Sequence, residues 1–206
     1  MDVLFSAFVV LLIVIDPIGN APMFMALTHN MEAGYRRTMA IRGVSLATAI
    51  LLVFLLIGDT LLALLGIGIS AFRIAGGILL FLLAIDMVFA RQSGLRSTTV
   101  QEQHEAEHKR DVSVFPLAFP LIAGPGALTT VLLMTSPRPE LLVFIGMLVA
   151  LLLVLGLALV SLLSADRIVC LLGETGANAI TRLMGLILAA LAVQYVLDGV
   201  KTAWPS

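Results

Sequence analysis

Charge is what this sequence has least of. Twelve lysines and arginines and 13 acids make up 12% of its 206 residues, against 60% hydrophobic, and the mean hydropathy is +1.11. A water-soluble domain carries about a quarter charged residues, so there is too little polar side chain here to cover a solvent-facing surface. The formal net charge of −1 removes the basic excess on which nucleic-acid binding depends. The single cysteine, Cys170, excludes an internal disulfide. It is read as a small apolar residue. Aromatics are sparse and the apolar runs are long and aliphatic rather than alternating, which favours helical spans over a β-barrel. The opening Met1-Asp2-Val3-Leu4 lacks the basic region of a cleaved signal peptide, so the first apolar segment is expected to remain as a span.

What is present is a series of six apolar windows: 3–28, 43–65, 72–90, 114–135, 141–163 and 182–200. Each is near the ~20 residues needed to cross ~30 Å of hydrocarbon. The expected fold is all-α and integral to the membrane, a single transmembrane domain over residues 1–206. Only residues 91–113 and 164–181 are long enough to hold structure outside the bilayer. Basic residues set the orientation. Arg36, Arg37, Arg42, Arg91, Arg96, Lys109, Arg110, Arg167 and Arg182 fall on one face, and Arg73, Arg138 and Lys201 on the other. By the positive-inside rule the richer face is cytoplasmic and both termini lie outside.

The chain also reads as duplicated. Phe8 and Gly19 recur 107 positions later as Phe115 and Gly126, and Arg73-Ile74-Ala75-Gly76 is echoed 109 positions later by Arg182-Leu183-Met184-Gly185. Repeat 1 covers about 1–90, a cytoplasmic connector about 91–113, and repeat 2 about 114–206. Three spans per half is an odd number, so the second copy must be inverted in the membrane, the plan of many secondary transporters.

Five of the eight prolines lie in spans one and four: Pro17, Pro22, Pro116, Pro120 and Pro125. Proline removes a backbone donor and clashes with the preceding turn, so these two helices are expected to break at mid-membrane. The breaks read Asp16-Pro17-Ile18-Gly19-Asn20-Ala21-Pro22 and Ala123-Gly124-Pro125-Gly126-Ala127. A helix restarting after a break points partly positive N–H groups at the protein centre, which suits a carboxylate, while the preceding carbonyls suit an ammonium. Two facing breaks fit a small zwitterion, and free amino acids match that description. The expected binding residues are Asp16, Pro17, Gly19, Asn20, Ala21, Gly124, Pro125, Gly126 and Thr129, with Asp16 also the candidate for coupling to a proton or sodium ion. A carboxylate in hydrocarbon costs about 2.5–3.5 kcal/mol by insertion scales unless it faces protein or water; capping the following helix is the competing role for Asp16. Arg73 and Arg182 are read as anchors snorkelling to opposite interfaces, with a gate role as the alternative.

These segments resemble the MarC family of bacterial and archaeal inner-membrane proteins. The resemblance rests on Asp16–Phe24, Arg73–Gly77, Phe115–Pro120 with Ala123–Gly126, and Ile180–Gly185, and spans nearly the whole chain. It implies six spans, an inner-membrane location and transport of small neutral amino acids such as alanine and glycine. One motif points elsewhere: His104-Glu105-Ala106-Glu107-His108 matches the zinc-protease pattern H-E-x-x-H. It lies in a charged connector with no convincing third ligand, so neither metal, cofactor nor enzymatic activity is expected. The reading is a secondary transporter of alanine-, glycine-, serine- or threonine-like substrates working by alternating access. The rivals are a channel or broad efflux protein for small neutral solutes, an intramembrane metalloenzyme and a non-transporting assembly factor.

Overall fold

The computed structural model describes residues 2–29, 31–89, 111–135 and 139–204. The described residues form helices α1 (Asp2–Ile15), α2 (Pro17–Leu27), α3 (Ala33–Leu64) and α4 (Ile69–Phe89). An irregular helical segment, Ser113–Ile122, then leads to α5 (Pro125–Thr135), α6 (Leu141–Leu163) and α7 (Ala165–Ala203). No strand occurs among the described residues. The histidine motif at 104–108 and the basic residues Arg91, Arg96, Lys109, Arg110 and Arg138 lie outside them.

Five stretches are long and apolar enough to cross a membrane: Leu4–Leu27, Ala33–Leu64, Ile69–Phe89, Leu141–Leu163 and Thr175–Ala203. Ser113–Ile122 and Pro125–Thr135 pass the same test as a pair bent by 53°, which makes up to six. The exterior agrees with that solvent. Val53, Leu56 and Ile57 on α3, Leu153 on α6 and Leu186 on α7 are exposed, and a belt of that kind on a soluble monomer would be an association surface.

Two expected boundaries are corrected. The second span was placed at 43–65, whereas α3 starts at Ala33. Thirty-two residues reach about 48 Å, longer than the hydrocarbon core, so the turns carrying Arg36, Arg37 and Arg42 extend past it. The sixth span, expected over 182–200, falls in an apolar stretch of Thr175–Ala203, and α7 begins well before it at Ala165. The helix changes direction at Gly173, whose φ of 64° is open to glycine and strained for other residues.

Ion pairs gather three connections on one face. Arg36 pairs with Asp166 at the start of α7, and Arg42 lies 3.7 Å from Asp111 before Ser113. The Ser113 hydroxyl and backbone N–H bond to Asp111 and, helped by Arg42, hold its carboxyl below the ordinary aspartate value.

The most extensive helix contact is between α4 and α7, which run antiparallel. A Cβ on Gly77 would meet Val196 Cγ2 at 2.7 Å and the Ala192 carbonyl oxygen at 2.8 Å. One on Gly185 would meet Met87 Cβ at 2.7 Å, with backbone of Val88 and Ala84 at 3.0 and 3.1 Å. Small residues let backbones approach in a membrane, where dispersion replaces the hydrophobic effect as the force between helices. Gly77→Ala and Gly185→Ala are expected to destabilise by about 1–3 kcal/mol, the usual overpacking cost. Gly156, with nothing within 4 Å of its virtual Cβ, is the control. Gly156→Ala should be neutral or stabilising in the same thermal unfolding measurement in detergent.

Candidate functional site

Asp16 stands between α1 and α2 in the left-handed conformation, φ 48° and ψ 66°. It is the one non-glycine residue with positive φ among those described. Asp tolerates this region better than most side chains because it can bond to nearby backbone. The backbone ladder continues on either side: Asp16 N–H donates to Leu12 O and Asn20 N–H to Asp16 O, both at 3.0 Å. Pro17 opens α2, where its missing N–H costs little. Span one therefore reads through as a single stretch with a one-residue hinge, milder than the full break expected from its two prolines.

The Asp16 side chain is 3% exposed and answered by donors. Gly19 N–H donates to Oδ1 at 3.0 Å, so Asp16 does cap α2. The Thr181 hydroxyl, on α7, donates to Oδ2 at 3.2 Å. Gly19 makes this possible, since a Cβ there would lie 2.5 Å from Thr181 Oγ1 and 2.2 Å from Asp16 Oδ2. Asn20, 1% exposed, donates from Nδ2 to Ile15 O at 2.7 Å, while its Oδ1 is buried with no partner. From α6 the Ser161 hydroxyl donates to Pro17 O at 2.6 Å. Three helices thus converge on a buried cluster of acid, amide, hydroxyls and helix N-terminus.

Span four departs further from a helix. Phe115 and Phe119, each before a proline, are extended at φ near −134° and ψ near 128°, as the proline ring demands of the preceding residue. The chain then turns into α5 at Ala123-Gly124-Pro125. Around that turn lies a cavity lined by Val14, Leu83, Pro120, Gly124, Pro125 and Gly126. Its water-accessible space is about 10 Å³, the room of one water.

The structure brings Asp16, Pro17, Gly19, Asn20 and Ala21 into one cluster and Gly124, Pro125 and Gly126 into a neighbouring one. Val14 joins them, its Cγ1 lying 3.3 Å from a Cβ placed on Gly126. Thr129 is buried, and its Cγ2 faces Gly76 of α4 at 2.3 Å from a virtual Cβ. It packs the helices together there. Arg73 is half-buried and Arg182 exposed, and among the described residues neither forms an ion pair. Sequence reasoning missed Ser161, Thr181 and the buried, unpartnered Thr130 Oγ1. Their signal was faint: hydroxyls are ordinary in membrane helices, bonding their own backbone as Thr135 does to Val131 O.

Thr181→Val and Ser161→Ala should each lower unfolding stability by about 0.5–1.5 kcal/mol, the net worth of one hydrogen bond. Gly19→Ala should cost more than either, because the carboxylate and Thr181 must both move. Thermal unfolding of the purified variants in detergent checks this ranking.

The comparisons with known proteins agree on one relationship. A family model described as MarC family integral membrane protein matches residues 1–204. UPF0056 inner membrane protein YhgN of Escherichia coli K12 is 39% identical over 201 residues, covering 98% of each chain. UPF0056 membrane protein MJ1677 of Methanocaldococcus jannaschii is 36% identical over 191 residues, 92% of each. UPF0056 membrane protein YvbG of Bacillus subtilis is 36% identical over 198 residues, 96% of this chain and 94% of that one. No solved structure matches significantly. A match along almost the entire chain, to proteins of equal length in bacteria and archaea, leaves one conclusion: this chain belongs to the MarC family of integral membrane proteins.

Proposed function

We propose that the protein is a secondary transporter, not an enzyme, that moves small neutral amino acids of the alanine, glycine, serine or threonine kind across the cytoplasmic membrane. The observation that carries this reading is the Asp16 cluster. A buried carboxylate sits at the N-terminus of α2 beside Asn20 Oδ1, a buried acceptor with no partner. An unmet buried acceptor costs about 1–3 kcal/mol. An ammonium group would meet it and balance Asp16, while the first turn of α5 offers the N–H groups of Gly126 and Ala127 to the other end of a zwitterion. The relatives, named as membrane and inner membrane proteins, agree with the location.

Alternating access needs two halves that move against each other, and the packing of α4 on α7 supports an inverted repeat. Gly77 faces Ala192 and Val196, and Gly185 faces Ala84, Met87 and Val88. At a shift of 108 positions, one short of the 109 read from the sequence, Gly185 corresponds to Gly77 and 192 and 196 become 84 and 88, so each helix presents its glycine to the same region of the other; at 109 the counterpart of Gly185 is Gly76, which faces Thr129 of α5. That reciprocity is what a two-fold axis in the membrane plane produces. The face holding the Arg36–Asp166 and Arg42–Asp111 pairs is then cytoplasmic, with both termini outside. The conformation is closed, because about 10 Å³ at the span-four turn is far below the roughly 300–1,000 Å³ of a ligand pocket. Coupling falls to Asp16, with a proton or sodium ion as the partner.

In proteoliposomes, labelled alanine should show saturable counterflow, and Asp16→Asn should reduce it about tenfold or more, the loss of a charged hydrogen-bonded contact. Alanine at a hundred times its Kd should stabilise the purified protein by about 2.7 kcal/mol. Unsaturable flux would make the protein a pore. Normal transport by Asp16→Asn at every pH would reduce Asp16 to a helix cap.

A further inference from the structure

On the face that gathers the ion pairs, a second cavity of about 370 Å³ opens between α2, α3 and the α6–α7 junction. It is lined by Phe24, Arg36, Arg37, Leu162, Leu163 and Asp166, among others. The volume is that of a small-molecule pocket, unlike the closed space at the span-four turn. Its polar rim carries both signs, Arg36 and Arg37 against Asp166, over an apolar floor. Arg36 and Asp166 are paired with each other, so Arg37 is the rim charge outside that pair and suits a carboxylate.

The floor connects this cavity to the buried cluster. Asp16, Asn20 and Phe24 recur every four residues, so they lie along one face of α2. All three are buried, at 3%, 1% and 1% exposure. Phe24 is about 12 Å along the helix from Asp16 at 1.5 Å per residue. Its ring therefore stands between the open cavity and the Asp16 cluster, with Asn20 immediately behind it. Above the ring, Arg36 holds the mouth together. One guanidinium nitrogen donates to Met25 Sδ at 3.6 Å and another pairs with Asp166. A single side chain on α3 thus ties α2, in the first half of the chain, to α7, in the second. The pair is half-open to water, with Arg36 22% and Asp166 57% exposed. It is weak enough to break in a working cycle, as exposed ion pairs are.

We propose that this cavity is the vestibule through which a zwitterionic amino acid reaches the Asp16 cluster from this face. Phe24 is its inner plug, and the Arg36–Asp166 pair is its outer latch. The proposal rests on the transport reading for the identity of the guest but not for the existence of the passage. Opening requires the pair to part and the ring to swing into the vestibule, which has room for it. Phe24 then acts as a positioning residue for the path, and Arg37 remains in the rim to meet the guest's carboxylate.

The test reads access directly. In a Cys170→Ser background, Ala21→Cys adds a single sulfur atom one turn behind Phe24, at a position 0% exposed. A membrane-impermeant sulfonated methanethiosulfonate is applied from the vestibule face of oriented membrane vesicles. Modification should be slow with the gate intact. It should be at least about tenfold faster with Phe24→Ala, because a closed gate leaves its open state only 0.1–10% populated. Asp166→Asn or Arg36→Gln should accelerate it about fivefold, the low end of coupling effects. The charge-swapped pair Arg36→Asp with Asp166→Arg should slow it again. Phe24→Leu gives a milder version if the alanine variant does not fold, and full-length monodispersity checks each. Rates that ignore both Phe24 and the pair overturn the proposal, whether or not alanine is transported. Gated rates together with no stabilisation of the unsubstituted protein by saturating alanine leave the passage standing and remove the amino acid as its guest, which is the failure of the transport reading.

Discussion

A carboxylate buried at membrane depth has to be met by donors, and the surroundings of Asp16 exist to supply them. The left-handed turn at Asp16 aims its side chain back over the first turn of α2, where the Gly19 N–H and the helix dipole meet it. Thr181 arrives from α7 and Ser161 from α6, so both late helices are held to the first span by polar contacts in an otherwise apolar core. Water cannot substitute for these partners in hydrocarbon. The packing of α2 on α7 is therefore tied to one ionisable group, while α6 is held to the backbone of the next residue, Pro17.

The remaining architecture depends on how closely backbones can approach. Gly77 and Gly185 set the contact of α4 with α7, and Gly76 admits Thr129 of α5. Gly43 and Gly58 of α3 receive Leu117 and Leu132 in the same manner. Apolar side chains offer no preference for protein over lipid, so this fit of small residues against bulky ones carries the specificity. Thr129 belongs with this group. Its methyl group lies against Gly76.

The two proline-bearing spans solve the same problem differently. In span one, Pro17 falls at the first position of α2 and the ladder runs on across Asp16, so direction is nearly kept. In span four, two Phe-Pro steps force extended backbone twice within ten residues, and the chain bends by 53° before α5. The irregular arm leaves a cavity only one water wide, whereas the larger cavity opens beside Phe24 near the far end of α2.

Composition and run length determined by themselves that the chain lives in a membrane and is helical, because a shortage of charge and long aliphatic runs have no other stable solvent. Proline and glycine marked where the first and fourth spans depart from regular helix, since their backbone limits are local. The Asp16-Pro17 start of α2 was legible for the same reason. Sequence could not place Ser161 or Thr181 beside Asp16, or Arg36 against Asp166, because those pairs are separated by 130 or more positions. Only the packing of α2, α3, α6 and α7 brings them together. Nor could it foresee that α3 and α7 run past the bilayer, since a charged turn can continue a helix or end it. Tertiary contacts made that choice, pairing Arg36 and Arg42 with acids on other segments and so giving the polar helix ends something to hold.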